Sequence, residues 1–236
     1  MEALNGKVAY ITGGSKGIGL GVAKELVKQG MHVAVSGRGS ADLDNAVAEL
    51  GAENAMGIIS DVTRLEDEQS AVEQIIKRWG QLDVVVANAG VGHFAPIDTL
   101  KTEAWHQMIN TNLNGVYHTL MASMDALKAS KGYYITIASL AGTNFFAQGA
   151  GYNATKFGVV GFTQAAMLDL RPHGIKVSTI MPGSVSTHFN NHSPSSKDAW
   201  KIQPEDIGHL VRDLLQMHPR TLPSKIEVRP TRPDLK

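Results

Sequence analysis

The stretch Val8-Ala9-Tyr10-Ile11-Thr12-Gly13-Gly14-Ser15-Lys16-Gly17-Ile18-Gly19 decides the fold. Its first half is a short apolar run with β-branched residues, which reads as a strand covered on both faces. Its second half spaces glycines as Gly13-x3-Gly17-x-Gly19 and leads straight into an amphipathic stretch, Ile18–Gln29, that reads as a helix. Glycine accepts the backbone angles of a tight turn and lets the chain approach a ligand closely. The helix N-terminus behind it offers unpaired N–H groups and positive dipole charge, which suit a pyrophosphate. The spacing is not the commoner Gly-x-Gly-x-x-Gly, and glycines at such a turn also serve purely structural ends. Their position in the first strand–helix unit favours a nucleotide.

Outward from this unit the same alternation continues. Val8–Thr12, His32–Ser36, Ala55–Ile59, Val84–Ala87, Tyr133–Ala138, Lys176–Met181 and Lys225–Val228 read as strands. Ile18–Gln29, Ala41–Leu50, Glu66–Trp79, Ala104–Ala129, Tyr152–Leu170 and Pro204–Met217 read as helices, with Gly30, Gly80 and Pro172–Gly174 as stops. This predicts a doubly wound α/β fold, a seven-stranded and mostly parallel sheet with helices on both faces. No repeat or composition break divides the chain, so residues 1–236 are expected to form one domain. The one long irregular stretch, rich in Ser, Asn and His at about 184–203, reads as a substrate lid or a disordered loop.

Bulk properties narrow the function. The 22 Lys and Arg balance the 22 Asp and Glu, so no net electrostatic pull toward nucleic acid or an anionic membrane is expected. The absence of cysteine removes disulfides, thiolate metal sites and cysteine nucleophiles, and fits a reducing, cytoplasmic setting. Met1–Lys7 holds no apolar run of signal-peptide length, and no window approaches the ~20 apolar residues of a membrane span. The nine histidines lack metal-ligand spacing; the nearest pair, His188 and His192, reads as part of a solvated loop, and no metal is expected.

At the cofactor end, a nucleotide site of this kind usually has an acid after the second strand to bind the ribose 2′-hydroxyl. Here the sequence is Val35-Ser36-Gly37-Arg38, with no carboxylate before Asp42. A guanidinium binds a 2′-phosphate bidentately where a carboxylate repels it, and Lys16 in the glycine turn is a second cation. Together they favour NADP(H) over NAD(H). Asp61 and Val62, after the third strand, are candidates to meet the adenine, and Asn88-Ala89-Gly90 ends the fourth strand at the ligand-binding edge.

At the chemical end, Tyr152 and Lys156 stand one helical turn apart and share a face. A phenol of pKa about 10 exchanges protons poorly at neutral pH, and a neighbouring ammonium is expected to lower that value. Ser139 lies at the carboxyl end of the fifth strand, at the same edge as the glycine turn. Asn110-Thr111-Asn112-Leu113-Asn114 interrupts a long helical pattern with poor helix formers, as a polar face, a kink or a functional insertion would.

These motifs, in this order, resemble the short-chain dehydrogenases/reductases in their compact single-domain branch: Thr12-x3-Gly17-x-Gly19, Asp61, Asn88-Ala89-Gly90, Asn112, Ser139, Tyr152-x3-Lys156 and Pro182-Gly183. The resemblance runs from about Lys7 to Met217. It implies a Rossmann-type fold and hydride transfer between nicotinamide C4 and a small carbonyl or alcohol. In that reading Tyr152 is the acid/base, Ser139 polarises the carbonyl, and Lys156 tunes the tyrosine and binds the nicotinamide ribose. Asn112 holds a relay water. Thr12, Gly13, Ser15, Lys16, Gly17, Ile18, Gly19 and Arg38 hold the adenosine and phosphates. Pro182, Gly183, Val185 and Thr187 line the nicotinamide. The resemblance also implies a homodimer or homotetramer, with Ala104–Ala129 and Tyr152–Leu170 as candidate interface helices.

The C-terminal segment Leu222–Pro230 lacks the Asp/Asn-Gly-Gly turn common in reductases of acyl carrier protein thioesters, so a 3-oxoacyl thioester reductase is the alternative. A different class, a redox sensor that binds NADP(H) without turnover, is carried as a second alternative, although the whole catalytic set is present. Candidate pocket residues are His93, Phe94, Phe145, Phe146 and His188, drawn from the walls Val91–Phe94, Thr143–Phe146 and His188–Phe189.

Overall fold

Two apolar layers sandwich a sheet in the computed structural model, which describes residues 4–232. The strands are β1 (Val8–Thr12), β2 (His32–Gly37), β3 (Ala55–Ile59), β4 (Val84–Ala87), β5 (Tyr133–Ile137), β6 (Lys176–Pro182) and β7 (Lys225–Val228). Their order is β3-β2-β1-β4-β5-β6-β7 and every pairing is parallel. The chain reverses its direction of travel across the sheet between β1 and β4, which opens a crevice outside the carboxyl ends of those strands.

The helices are α1 (Gly17–Lys28), α2 (Ser40–Leu50), α3 (Leu65–Trp79), α4 (Thr102–Met108), α5 (Gly115–Ser130), α6 (Ala150–Leu170) and α7 (Pro204–Gln216). Alternate residues along the strands feed the two layers. Ala9, Ile11, Val33 and Val35 pack with Leu26, Leu43 and Val211 on one face. Val8, Tyr10, Ala34 and Val85 pack with Ile75, Leu120 and Val159 on the other. Burial on both sides explains why the strands read as unbroken apolar runs. The polar tail is described only to Arg232, so residues 233–236 and the first three residues, on which the reading of the N-terminus partly falls, lie outside the described residues.

Two elements differ from the sequence reading. The helix expected over Ala104–Ala129 is α4 and α5 joined by a π-helical turn, Ile109–Asn114. The asparagines explain it, because the side chain of Asn112 bonds outside the helix and Asn114 donates to Asn110 Oδ1 at 3.0 Å. Helix α6 starts at Ala150, so Tyr152 stands inside its first turn instead of opening it.

The layer holding α3 and α5 buries a carboxyl. Glu68 is fully buried and accepts from Tyr10 (2.9 Å), Ser60 (2.6 Å) and Thr119 (2.8 Å). Burial raises its pKa against the pull of these hydroxyls. The cluster ties α3 to β1, to α5 and, through Ser60, to the loop that carries Asp61. Periodicity gives no sign of it, since Glu68 reads as an ordinary polar helix residue.

Helices α1 and α7 cross at Gly21 and Gly208. A Cβ on Gly208 would lie 2.7 Å from the Gly21 carbonyl oxygen, and one on Gly21 would lie 2.6 Å from the Pro204 backbone. Helix propensity alone makes Ala better than Gly by about 1 kcal/mol, but a backbone clash costs about 1–3 kcal/mol or more. Gly208→Ala is therefore expected to lower the thermal midpoint by several degrees, since about 1 kcal/mol moves a domain of this size by ~2–4 °C. A calorimetric scan showing a raised midpoint would mean the crossing is looser than these distances.

Candidate active site

The glycine turn is built as the spacing requires. Gly13 (φ 62°) and Gly17 (φ 56°) occupy the left-handed region that side chains disfavour. At Gly19 a Cβ would stand 2.6 Å from both the Gly13 carbonyl oxygen and Asn88 Nδ2. Helix α1 has no side-chain cap and no acid in its first turn, so its N-terminus is free to receive an anion. This cradle fits a dinucleotide pyrophosphate.

Thr12 and Asn88 fasten the crevice from below. Thr12 Oγ1 accepts from the backbone N–H groups of Asn88 (3.0 Å) and Ala89 (3.1 Å). Asn88 Nδ2 returns bonds to the carbonyls of Thr12 (2.9 Å) and Gly13 (3.1 Å). Their polar groups hold the ends of β1 and β4 together, which makes them positioning residues for the turn.

Lys16 and Arg38 are both exposed. Lys16 is 3.8 Å from Asp42, whereas Arg38, just beyond β2, has no ion pair or hydrogen bond among the described residues. Ser15 is beside Gly37, whose Cβ would lie 3.5 Å from its Oγ. Asp61 accepts from the Thr63 N–H at 3.0 Å, and buried Val62 offers its carbonyl to His118 Nδ1 at 2.9 Å. Ile18 is half-buried in the first turn of α1.

Across the same sheet edge, Ser139 caps a short 3-10 turn, its Oγ accepting from the Ala141 N–H at 3.1 Å. Asn153 ties this turn to α6 by donating to the carbonyls of Ala141 (2.7 Å) and Asn144 (2.8 Å). That clamp sets Ser139 relative to Tyr152. Sequence reasoning missed it, because a lone Asn beside the tyrosine carries no pattern of its own.

Lys156 is buried, donates from Nζ to the Ile137 carbonyl at 2.9 Å, and stands 5.7 Å from the centre of the Tyr152 ring. Burial lowers its pKa to about 8. The expectation that the ammonium lowers the tyrosine is corrected in the protein by itself. Burial pushes Tyr152 up to about 12, and the opposing hydrogen bond with Ser139 is the smaller effect. The amine sits over the ring and points to a carbonyl, so desolvation outweighs it.

Asn112 is buried and clamps Val91, accepting its N–H (2.8 Å) and donating to its carbonyl (2.8 Å), with a second donation to Thr155 Oγ1 (3.1 Å). Both amide hydrogens are therefore spent on protein atoms. Gly90 lies between the two groups: a Cβ there would be 3.4 Å from Asn112 Oδ1 and 3.9 Å from Lys156 Nζ.

Beyond β6, Gly183 donates to the Val228 carbonyl at 2.8 Å and Val185 pairs with Ile202, which closes the base of the 184–203 loop. Inside it, the Asp198 carboxylate holds Lys201 (2.5 Å), His192 (2.8 Å) and the Ser195 N–H (2.9 Å), contacts that keep it well below the usual carboxylate range. Thr187 returns against the glycine turn, its methyl 3.4 Å from the point a Gly17 Cβ would occupy. His188 lines a cavity of about 180 Å³ beside α1, with Gly17, Gly21 and Thr187.

The candidate pocket residues divide. Phe94 meets Tyr152 edge-on with ring centres 5.4 Å apart, and Phe146 is 5.8 Å from Phe94. His93 Nε2 is 2.8 Å from Gln107 Oε1, at the rim. Phe145 is 85% exposed and takes no part in the aromatic contacts of the described residues, because the turn after Ser139 points it to solvent. Phe189 stands 5.7 Å from the Tyr152 ring.

Fold and site together point to a doubly wound α/β oxidoreductase of CH–OH/C=O groups. The chain belongs to the short chain dehydrogenase family, whose model matches residues 7–198. An uncharacterized oxidoreductase of Staphylococcus haemolyticus is 31% identical over 231 residues, covering 98% of this chain and 100% of that protein. Among solved structures, an alcohol dehydrogenase from the archaeon Thermococcus sibiricus complexed with 5-hydroxy-NADP superposes with a TM-score of 0.90 at 31% identity, covering 97% of this chain and 99% of that one. A 3-ketoacyl-(acyl-carrier-protein) reductase from Brucella melitensis complexed with NADH gives 0.89 at 27% identity, with the same coverage. Among the described residues, no helix is long and apolar enough to cross a membrane.

Proposed function

We propose that this protein reduces a small carbonyl compound, and oxidises the corresponding alcohol, with NADP(H) in preference to NAD(H). The observation that carries this reading is the buried Lys156 over the Tyr152 ring, beside Ser139, at the sheet edge that also bears the open N-terminus of α1. The nicotinamide, when bound, gives or takes the hydride. Tyr152 supplies the proton: a phenol held at about 12 by burial stays protonated at neutral pH and serves as the acid for reduction. Ser139 orients the substrate oxygen, and Lys156, poised at about 8, gives and takes protons behind the tyrosine. Asn112 acts as a positioning residue that keeps Val91 and Gly90 against Lys156.

Gly13, Ser15, Gly17, Ile18 and Gly19 would hold the pyrophosphate, and Arg38 with Lys16 the 2′-phosphate. Asp61 and Val62 would face the adenine. Ala89 and Gly90, backed by Thr12 and Asn88, would face the nicotinamide ribose, and Pro182, Gly183, Val185 and Thr187 the nicotinamide. The absence of any carboxylate at the end of β2 supports the NADP preference. We read residues 1–236 as one domain with a lid over about 184–203, acting in the cytoplasm as a homodimer or homotetramer. Exposed Tyr117, Met121, Phe157 and Leu168 on α5 and α6 support the oligomer.

Parallel titrations with NADPH and NADH, followed by turnover on a panel of ketones and diketones, test this reading. Tighter NADPH binding with turnover of a carbonyl is expected. Binding without any turnover would favour the sensor, and equal affinities would reduce Arg38 and Lys16 to surface charges.

A further inference from the structure

Phe94, Phe146 and Phe189 come from three separate loops, after β4, after β5 and after β6; Phe94 and Phe189 converge on Tyr152, and Phe146 packs against Phe94. The centres of the Phe94 and Phe189 rings lie 5.4 and 5.7 Å from that of Tyr152, and Phe146 is 5.8 Å from Phe94. The three residues remain 37%, 48% and 37% exposed. Exposed aromatic surface that rims a group capable of proton transfer is surface waiting for a ligand.

The convergence depends on a missing side chain. A Cβ on Gly92 would lie 2.6 Å from Phe189 Cζ and 3.2 Å from Phe94 Cζ, so only glycine lets both rings lean in over the mouth. The loops are also held to each other, since the Ala95 N–H donates to the Gln148 carbonyl at 3.0 Å. That bond fixes the Phe94 and Phe146 walls, while Phe189 arrives on the lid.

Charge narrows the ligand further. The three mouth segments, residues 91–96, 143–149 and 184–189, contain no Lys or Arg. Lys156 is buried with its Nζ on the Ile137 carbonyl, and His93 is engaged with Gln107. A carboxylate or phosphate on the substrate would enter an aromatic mouth without a Lys or Arg to pair it, and His188, the remaining imidazole of these segments, lines the cavity beside α1.

We propose that Phe189, seated on Gly92, is the specificity-determining wall of the site, and that the substrate class is an uncharged carbonyl compound bearing an aromatic ring beside the reacting carbon. The substrate ring completes the cluster, presenting edge or face to the tilted phenylalanines while its carbonyl reaches Tyr152 and Ser139. This rests on the oxidoreductase reading of the same site.

The test compares 1-phenyl-1,2-propanedione, 2,3-hexanedione and 2-oxobutanoate as substrates for the wild type, Phe189→Ala and Gly92→Ala. In parallel, calorimetry follows acetophenone binding in the presence of oxidised cofactor, where no hydride is available. The wild type is expected to favour the aryl diketone over the aliphatic one by about tenfold in kcat/KM, mostly through KM. The charged ketone is expected to be about 100-fold poorer. Phe189→Ala should remove the aryl preference and weaken acetophenone binding by about tenfold. Gly92→Ala should do the same with little loss of thermal stability, because the atom it displaces is the end of a ring at the surface.

An aryl preference unchanged in both variants, or a wild type that prefers the charged ketone, overturns the proposal. A wild type that turns over none of the three defeats the oxidoreductase reading on this panel. The binding arm then still decides the aromatic wall: acetophenone affinity lost in Phe189→Ala supports it, and affinity unchanged overturns it.

Discussion

Replacing Tyr152 by Phe is expected to lower kcat for carbonyl reduction by about 10²–10⁴-fold, the range associated with a positioned general acid, while cofactor affinity stays close to that of the wild type. The substitution keeps the ring, and with it the contacts to Phe94 and Phe189 and the position beneath Lys156. It deletes one hydroxyl whose hydrogen-bonding neighbour is Ser139. No core methylene is lost, so the thermal midpoint should hardly move, and steady-state rates beside a fluorescence titration separate chemistry from binding. Reduction by the wild type should hold at lower pH, where the acid carries its proton. It should decline as pH rises through about 8, where Lys156 loses the proton that restores the tyrosine. A variant that keeps most of its turnover would remove Tyr152 from the acid role.

The second large effect is expected at Arg38. An Arg38→Asp variant should bind NADPH about 10–100-fold more weakly, the magnitude of losing charge-assisted hydrogen bonds to a phosphate. The new carboxylate would both repel the 2′-phosphate and accept a bond from a ribose 2′-hydroxyl, so NADH affinity should rise and the preference invert. Arg38 suits this role because it is exposed and has no ion pair or hydrogen bond among the described residues. Lys16→Ala should have a smaller effect, since Asp42 already lies 3.8 Å from an ammonium that is 65% exposed. Competition binding with both cofactors measures the ratio, and an unchanged ratio would assign the selectivity elsewhere.

How much of the site could be read in advance depended on how local each feature is. The glycine turn carries most of its own explanation, since positive φ at Gly13 and Gly17 and the approach of Gly19 to the Gly13 carbonyl involve neighbours in sequence, while the contact of Gly19 with Asn88 needed the fold. Tyr152 and Lys156 share a helix face by spacing alone. Phe145 and Phe146, by contrast, are adjacent and chemically identical, and only the path of the turn after β5 sends one to solvent and the other to Phe94. His188 falls in the irregular 184–203 stretch, and only the tertiary path places it at the cavity beside α1. Asn112 was visible as an oddity in a helix. Its partners, Val91 and Thr155, lie 21 and 43 residues away, beyond the reach of any local pattern.

What the sequence by itself determined is the order of the strands, the doubly wound sheet and the edge that carries the glycine turn and Ser139, because periodicity and turn chemistry are properties of neighbouring residues. It also specified the chemical identities of Ser139, Tyr152 and Lys156. The tertiary structure decided what those groups do to one another. Desolvation raises Tyr152 and lowers Lys156, and desolvation comes from atoms far apart in the chain. The π-turn at Ile109–Asn114, the buried Glu68 and the placing of Phe94 and Phe189 against Tyr152 arise in the same way, from contacts that exist only once the layers have closed.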